Sequence, residues 1–268
     1  MSMSMGTITA GIDCGARVTK ALLWQDGKVL AKGTAITGFD QGKSAEQALK
    51  QALEQAGLSQ DQIRHITATG IGRSIVPLAH SEVTEVTADA KAVVSLIPEA
   101  RTIIDVGAEE GRAIRCESDG RVKDFAVNEK CAAGAGTFVE TMARTLELKL
   151  EEIGPLSLKS KQAIPMNAQC AVFAESEVVS LIHQGVAKED IIRAVHEAMA
   201  DRVAAMVRRA GLEPVVVLVG GVAHDVGFLY ALQNELGVEV KVPENPGFIG
   251  ALGAAMIAAD RSTDRGAD

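Results

Sequence analysis

The chain has 268 residues, a net charge of −8 and a pI near 5.3, which argues against nucleic acid as its main partner. Hydrophobic residues make up 47% and aromatic residues only 3%, so we expect one large or two small domains with an aliphatic core. No stretch approaches the roughly 20 apolar residues of a membrane span, the start lacks the regions of a secretory signal, and four cysteines are too few for a disulfide scaffold. We therefore expect a cytoplasmic protein with reduced thiols.

Two segments of the chain resemble each other. Residues 7–35 and 102–127 each show an apolar strand, an Asp-x-Gly turn, a second strand, an Asp-Gly hairpin turn and a third strand. The Asp-x-Gly turns begin at Asp13 and Asp105. This duplication predicts two similarly folded halves, one at 1–100 completed by a helix at 249–260 and one at 101–248.

Helical and strand-like patterns alternate around the two repeats. The predicted helices are Ser44–Ala56, Ala88–Leu96, Gly136–Leu146, Ala171–His183, Ile191–Ala210, Val226–Leu236 and Ile249–Ala259. The predicted strands are Ile63–Thr69, Val215–Val219 and Val238–Val242. We read the acidic run Glu147–Glu152 as a solvated face. The pattern as a whole predicts an α/β fold with mixed sheets flanked by helices.

Glycines accompany both aspartates, as in loops that bind phosphate. Glycine lets a backbone come close to phosphate oxygens, and a carboxylate can hold a hydrated Mg²⁺. One Asp-x-Gly alone is also common in structural turns. Two copies in equivalent places favour two opposed phosphate loops around one cleft. Gly220-Gly221, after a run of five aliphatic residues, suits close contact with an adenosine, or else only a tight strand-to-helix turn.

Cys131 and Cys170 each stand where a polar loop meets a helical pattern. A thiolate there faces free backbone N–H groups and the positive end of a helix dipole. Two cysteines cannot complete a four-thiolate iron–sulfur cluster, but two copies of the pair from two subunits would. The alternative is two structural thiols. We read Cys14 and Cys116 as small apolar fillers, and the five histidines share no metal-ligand spacing.

The two aspartate loops and the Gly-Gly step, in this order, resemble the actin/hexokinase/Hsp70 superfamily, with its ribonuclease H-like halves and nucleotide cleft. The segments 131–136 and 170–177 look like those of the ATP-dependent electron activators of 2-hydroxyacyl-CoA dehydratases and benzoyl-CoA reductases, and the resemblance spans Gly11 to Ala255. The second loop, Asp105 to Glu110, differs from the Asp-Ile-Gly-Gly-Gln-Asp of dehydratase activators, and the run 111–115 looks more like the smaller, D-type ATPase subunit of benzoyl-CoA reductase. In the first loop, residues 14–17 stand where the family often has a small residue, Gly, then Ser or Thr.

The resemblance implies ATP hydrolysis with Mg²⁺ at Asp13 and Asp105. We assign Glu109 as a third catalytic residue, and its neighbour Glu110 stays open for the same role. It implies a [4Fe-4S] cluster shared by two protomers, each giving Cys131 and Cys170. The nucleotide contacts, with ATP or ADP, would also include Gly11, Gly15, Ala16, Lys20, Gly107, Ala108, Gly134, Gly136, Gly220, Gly221 and Val222.

The implied partners are a second ATPase protomer, identical or related, and a ferredoxin- or flavodoxin-type donor. The electron acceptor would be an iron–sulfur acyl-CoA enzyme, with benzoyl-CoA reductase preferred and a 2-hydroxyacyl-CoA dehydratase as the alternative. Neither nucleic acid nor a membrane is implied. A small-molecule kinase of the same superfamily and a nucleotide-dependent regulator without a cluster stay open, although both leave the cysteine pair unexplained.

Overall fold

The computed structural model describes residues 6–128, 135–166 and 171–264. The chain divides into two compact units. Unit 1 contains the chain up to Pro98, the short segment Glu117–Val122 and the chain from Phe248 onward, whereas unit 2 contains Glu99–Cys116 and Lys123–Gly247. Unit 1 is therefore built from three separate stretches of sequence.

Unit 1 holds a five-stranded sheet with helices packed against it. Its strands are β1 Ile8–Cys14, β2 Val18–Gln25, β3 Lys28–Ile36, β4 Ile63–Thr69 and β5 Ser81–Glu82. Its helices are α1 Gln41–Ala56, α2 Glu85–Leu96 and α8 Ile249–Asp264. Alternation along β1 sends Ala10, Ile12 and Cys14 into the core beneath α1, while the intervening residues face α8.

Unit 2 is built around a second five-stranded sheet. Its strands are β6 Thr102–Val106, β7 Gly111–Cys116, β8 Val122–Asn128, β9 Val216–Val219 and β10 Val240–Lys241. Its helices are α3 Gly136–Thr145, α4 Leu150–Ser157, α5 Ala171–His183, α6 Lys188–Ala210 and α7 Val226–Leu236. All four residues of β9 are buried, as expected of a central parallel strand.

The two sheets have the same topology. The first sheet has the order β3-β2-β1-β4-β5, and the second, from β8, has the order β8-β7-β6-β9-β10. In each, the first strand of the repeat pairs antiparallel with the second and parallel with the fourth. The predicted α/β class with two similar halves is thus confirmed, and the similarity extends beyond the repeated hairpins to the fourth strand.

The cores are aliphatic, as predicted from the composition. The core of unit 1 consists mainly of alanine, isoleucine and leucine side chains. The core of unit 2 consists of aliphatic side chains and methionines together with Phe138 and Phe228. Helix ends follow local chemistry. Asp40 accepts a hydrogen bond from the Lys43 N–H at the start of α1, and Gly57 ends this helix with a φ of 66°.

Several sequence predictions match the structure at both ends: β4, α5 and α7 have the predicted bounds. Others begin earlier than predicted. Helix α6 starts at Lys188, because its first three residues are polar and carry no apolar periodicity to reveal them. Helix α2 starts at Glu85, after the Thr84 cap, and its buried Val86 was overlooked. Helix α4 was missed: part of it lies in the acidic run Glu147–Glu152, but its Ile153 is buried.

The two key aspartates lie at strand ends, as predicted, but each is still inside its strand rather than in the turn that follows. Asp13 is in β1 and Asp105 is in β6, each paired across an antiparallel ladder. Asp13 stands opposite Lys20 and Asp105 stands opposite Arg112 in these ladders, so each strand extends one residue beyond the aspartate.

Candidate active site

Asp13 forms an ion pair with its cross-strand neighbour in unit 1. The Lys20 Nζ lies 3.3 Å from the Asp13 Oδ2, and both side chains are largely but not fully buried. Asp13 shares the sheet face of Thr9, whose hydroxyl donates to the Ala255 carbonyl oxygen of α8 at 2.9 Å. The carboxylate therefore stands at the end of a buried sheet face, with one cation held beside it.

Asp105 occupies the equivalent place in unit 2 and has a stronger partner. The Arg112 Nη1 donates to the Asp105 Oδ2 at 2.7 Å, while the Arg112 Nη2 pairs with the Glu110 carboxylate. A planar guanidinium can contact two carboxylates at once. The seven-residue spacing from aspartate to cation is the same in both repeats, and this shared spacing is a signal in the sequence that could have revealed Arg112.

A glycine ends the fourth strand of each repeat directly beside the aspartate. Gly70 has a φ of 92°, and a Cβ there would lie 2.7 Å from the Asp13 Oδ1. Gly220 has a φ of 89°, and a Cβ there would lie 2.5 Å from the Asp105 Oδ1. A side chain is therefore unfavourable at each position for two reasons: the positive φ strains any residue other than glycine, and a Cβ would collide with the aspartate carboxylate. The sequence indicated Gly220 but not Gly70.

The start of α8 brings further polar groups close to Asp13. A Cβ on Gly250 would lie 3.6 Å from both the Asp13 Oδ2 and the Asp89 Oδ1. Thr69, paired in register with Asp13, has a buried hydroxyl without a hydrogen-bond partner among the residues that the structure describes. A polar ligand at this sheet end would satisfy that hydroxyl. Neither Asp89 nor Thr69 was predicted.

Several predicted nucleotide contacts of unit 2 converge beside Asp105. The Gly136 N–H donates to the Gly107 carbonyl oxygen at 2.9 Å, and the Thr137 N–H donates to that of Ala108 at 2.8 Å. A Cβ on Gly136 would lie 3.1 Å from the Val222 Cγ2. The start of α3, the loop after β6 and the turn after Gly220 are thus in mutual contact, and Gly221 in that turn is exposed.

Three more predicted contacts of unit 1 divide into two kinds. Gly15 and Ala16 lie in the connection between β1 and β2, next to Asp13. Gly11 is buried, and a Cβ there would collide with the Ala251 backbone. Gly11 therefore has a packing role beneath α8 that the sequence did not indicate.

The neighbouring acidic residues after β6 have different surroundings. Glu109 is exposed, whereas Glu110 is partly buried and bonded to Arg112. Of the two, Glu110 is thus connected to the Asp105 carboxylate through Arg112.

The two predicted filler cysteines are buried, as expected. Burial raises the pKa of the Cys14 thiol, and the negative charge of Asp13 raises it further. The hydrogen bond that the Thr19 hydroxyl donates to the sulfur lowers this pKa, but by less than burial raises it. A protonated thiol is a poor metal ligand. Cys14 thus acts as a small apolar side chain, and so does Cys116.

The predicted cluster ligands, Cys131 and Cys170, lie outside the described residues, as does Gly134. The helix after each cysteine is described: α3 begins at Gly136 and α5 begins at Ala171. The two helices contact each other, and the Thr145 hydroxyl donates to the Glu175 carboxylate at 3.3 Å.

The segment that leads toward Cys170 is attached to α6. The Asp190 Oδ1 accepts hydrogen bonds from the Ser160 hydroxyl at 2.8 Å and from the Lys161 and Gln162 N–H groups. These bonds, above all that of Ser160, lower the pKa of Asp190. Asp190 was not predicted, because nothing in the sequence links it to residues 160–162.

Two kinds of feature are absent from the described part of the chain. No three or more His, Cys, Asp or Glu side chains in residues 6–128, 135–166 and 171–264 are grouped to hold a metal ion. Within the same ranges, no helix combines the length and hydrophobicity needed to cross a bilayer.

The profile of the BadF/BadG/BcrA/BcrD ATPase family matches residues 10–258. The chain belongs to this family. Among relatives of this family member, the activator of lactoyl-CoA dehydratase from Anaerotignum propionicum is 40% identical, over 93% of this chain and 96% of that one. The D-type subunit of benzoyl-CoA reductase from Thauera aromatica is 37% identical, over 95% and 94% of the two chains.

Solved structures agree with the family assignment. The activator of the 2-hydroxyisocaproyl-CoA dehydratase from Clostridium difficile, solved with bound ADPNP, is 34% identical and has a TM-score of 0.93, covering 97% of each chain. A ROK hexokinase from Thermus thermophilus, at 16% identity and a TM-score of 0.53, covers 95% of this chain and 99% of that one. The hexokinase shows the fold alone, and it confirms the predicted actin/hexokinase type.

Proposed function

We propose that this family ATPase is an iron–sulfur electron donor that activates an acyl-CoA enzyme by hydrolysing ATP. The observation that carries the proposal is the duplicated site: Asp13 and Asp105 have the same strand position, a cation seven residues later and a glycine against the carboxylate. The positions of Cys131 and Cys170, just ahead of α3 and α5, support the electron-transfer part.

The first part of the proposal is that both aspartate loops bind one MgATP. The residues present fit this ligand, because carboxylates suit a hydrated Mg²⁺ and glycines admit phosphate oxygens. Asp13 and Asp105 would hold the hydrated metal and orient the attacking water, while Lys20 would offset the negative charge of Asp13 near the phosphates. The phosphates would contact Gly15, Ala16, Gly107, Ala108, Gly134 and Gly136, and the adenosine Gly220, Gly221 and Val222.

We propose more limited roles for Glu109 and Gly11 in ATP hydrolysis. Glu109 is exposed, so it would act on water only once nucleotide is bound. Gly11 is proposed only as a support for the first loop, since it is buried beneath α8.

The second part of the proposal concerns the cluster. Each chain offers two thiols, Cys131 and Cys170, so two protomers would supply the Cys₄ set of a [4Fe-4S] cluster. Such a cluster stores and delivers single electrons at low potential when bound. This chain would hold the sulfur ligands at two helix starts and, through the contact of α3 with the loop after β6, link them to Asp105.

The acceptor that we propose is a 2-hydroxyacyl-CoA dehydratase, with a homodimer of this chain as the donor. The 40% identity to the lactoyl-CoA dehydratase activator and the TM-score of 0.93 to another activator support this choice. The preference for benzoyl-CoA reductase taken from the sequence is not confirmed. It remains the second candidate because the run 111–115 and the 37% identity to the D-type subunit of that reductase favour it. A ferredoxin- or flavodoxin-type protein would reduce the cluster.

The test is anaerobic purification of the whole chain. We expect a brown protein with about four irons per two chains, a native mass of a dimer, and steady ATP hydrolysis. Cys131→Ser and Cys170→Ser should each abolish the cluster, whereas Cys14→Ser and Cys116→Ser should keep it. A colourless wild type that hydrolyses ATP would instead favour a nucleotide-dependent regulator, and one that phosphorylates a small molecule would favour a kinase.

Coupling between the two parts has its own measurement. If nucleotide binding moves α3, the rate of iron chelation and the reduction potential should differ between protein alone, with MgADP and with a non-hydrolysable MgATP analogue. Identical values in all three states would contradict ATP-gated electron transfer in the isolated dimer.

A further inference from the structure

A buried histidine in unit 2 is hydrogen-bonded to a carboxylate, at a distance along the chain from Asp13 and Asp105. His196, in the middle of α6, is fully buried, and its Nε2 lies 3.0 Å from the Asp225 Oδ2. Its Nδ1 is also buried and has no hydrogen-bond partner among the residues that the structure describes. The tautomer that leaves no buried donor unpaired carries its hydrogen on Nε2. His196 therefore donates to the Asp225 carboxylate.

The other oxygen of Asp225 organises the start of α7. Its Oδ1 accepts hydrogen bonds from the Gly227 N–H at 2.9 Å and from the Phe228 N–H at 3.1 Å. These are two of the amide groups that a helix start leaves without partners. One carboxylate thus links α6 to the first turn of α7.

Two glycines leave room for this pair where α4, α6 and α7 meet. A Cβ on Gly227 would lie 2.6 Å from the His196 Nδ1, and a Cβ on Gly154 would lie 2.6 Å from the Asp225 Oδ1. Both distances are too short for real atoms. Glycines on two different helices, α7 and α4, therefore leave the space that the His196 ring and the Asp225 carboxylate occupy.

The pair is connected to the candidate nucleotide site through a short turn. The Asp225 N–H donates to the Val222 carbonyl oxygen at 2.9 Å, and the Ala223 N–H donates to that of Gly220 at 3.4 Å. Gly220 in turn lies against the Asp105 Oδ1, and Val222 lies against Gly136. A shift of the Asp225 carboxylate would thus be transmitted to residues that we assign to the adenosine.

We propose that His196 is a positioning residue for the nucleotide, an inference that rests on the proposed role of Gly220, Gly221 and Val222 at the adenosine. Without the imidazole, the Asp225 carboxylate would lose a buried hydrogen bond on one side, which is costly in a low dielectric. The carboxylate would then turn toward other donors and release the turn before α7. The affinity for nucleotide should fall, while chemistry at saturating ATP changes less.

The experiment compares His196→Leu, which removes the donor at similar size, with His196→Gln, which keeps an N–H near the Nε2 position. The matched control is His65→Leu, the other buried histidine, which is bonded to Ser81 in unit 1. We expect His196→Leu to weaken ADP binding about tenfold and to change the saturated hydrolysis rate by less than about threefold. His196→Gln should recover most of the affinity, and His65→Leu should bind ADP like the wild type.

Amide hydrogen exchange without nucleotide gives a second measurement on the same proteins. In His196→Leu, the Gly227 and Phe228 amides should exchange about tenfold faster than in the wild type, and His196→Gln should lie in between. Unchanged exchange at these amides overturns the proposal. Faster exchange with unchanged ADP affinity also overturns it, because the pair would then hold the helix without acting on nucleotide.

Failure of the proposed function and failure of this inference give different results. If the wild type binds no ADP, the proposed function itself fails. If the wild type binds ADP and His196→Leu binds it equally well, only the inference about His196 fails. If circular dichroism shows that His196→Leu does not fold, the test uses the wild type alone. ADP, but not inorganic phosphate, must then slow amide hydrogen exchange at Gly227 and Phe228. Absence of that slowing overturns the proposal.

Discussion

The β1–β2 hairpin of unit 1 and the β6–β7 hairpin of unit 2 share a framework but differ in their charges. In both, an aspartate is followed seven residues later by a cation, and a glycine of the fourth strand lies against the carboxylate. The cation is Lys20 in the first and Arg112 in the second, and among the residues that the structure describes Arg112 also pairs with a second carboxylate, Glu110.

The two copies thus share the position of the aspartate and its glycine but differ in the cation that pairs with the aspartate. The glycine beside the carboxylate has nearly the same φ in both copies, 92° at Gly70 and 89° at Gly220, so the repeat preserves the absence of a side chain at this place. A lysine is a flexible point charge, whereas an arginine fork fixes two partners in one plane. We therefore expect Asp13 to be the more adjustable carboxylate and Asp105 to be the more rigidly held one.

The largest effect should come from removing either charge at the aspartates. Asp13→Asn and Asp105→Asn should each lower the saturated ATP hydrolysis rate by about two to three orders of magnitude, because positioning and electrostatics dominate phosphoryl transfer. The matched controls are Asp26→Asn and Asp119→Asn in the hairpin turns of the same repeats, which should keep normal rates. A variant of either aspartate that retains wild-type hydrolysis would break the equivalence of the two loops.

The next effect concerns the two glycines that face the aspartates. Gly70→Ala and Gly220→Ala should each destabilise the protein by about 1–3 kcal/mol and lower hydrolysis about tenfold or more, because the new methyl group displaces the carboxylate. Gly57→Ala is the control, since Gly57 also has a positive φ but open space around it. Thermal unfolding and steady-state hydrolysis measure both quantities. Equal losses in all three variants would mean that the contact with aspartate is unimportant.

Exchanging the two cations should have a smaller and unequal effect. Arg112→Lys loses one of two carboxylate contacts, so hydrolysis should fall about tenfold. Lys20→Arg keeps the contact with Asp13 and should change hydrolysis by less than about threefold. Glu110→Gln should reproduce part of the Arg112→Lys loss. The ordering of the three rates is the measurement, and a larger loss in Lys20→Arg would reverse our view of which carboxylate is rigidly held.

The smallest effect is expected at the residue after each aspartate, Cys14 in one repeat and Val106 in the other. Cys14→Val should change the free energy of unfolding by less than about 1.5 kcal/mol near neutral pH and leave hydrolysis normal. The pKa of Cys14 is raised in the folded state, so its thiol ionises first in the unfolded chain. Wild-type stability should therefore fall, relative to the valine variant, as the pH rises above the ordinary thiol value of 9.0. Parallel stability curves up to pH 10 would contradict the buried, protonated thiol.

The repeat was visible in the sequence because it rests on local patterns. Strand alternation, the Asp-Gly turns and the two aspartates all lie within about 30 consecutive residues of each copy. The partners that complete each site come from far along the chain. Gly70 and Gly220 meet their aspartates only through parallel pairing of β1 with β4 and of β6 with β9, and sequence periodicity does not encode which strands pair.

Other parts of the site were hidden for chemical reasons. Asp89 and His196 stand on helices among apolar neighbours, where a single polar residue gives no pattern. Arg112 was visible but stood out only as part of a family motif, because its contact with Asp105 depends on the register of β6 with β7. The buried thiols of Cys14 and Cys116 were predictable, since small apolar surroundings are encoded by their own strands.

The last helix, α8, has a consequence for how the protein is made. It packs on β1 at Gly11, crosses α2 at Gly253 and carries Gly250 beside Asp13, yet it follows all of unit 2 in the chain. During synthesis the first sheet therefore emerges from the ribosome with one face uncovered and must wait for about 150 further residues, at roughly 5–20 residues per second. The surroundings of Asp13 are therefore completed only after those of Asp105. A nascent chain stalled before Ile249 should thus lack the packing of α8 against β1 and beside Asp13.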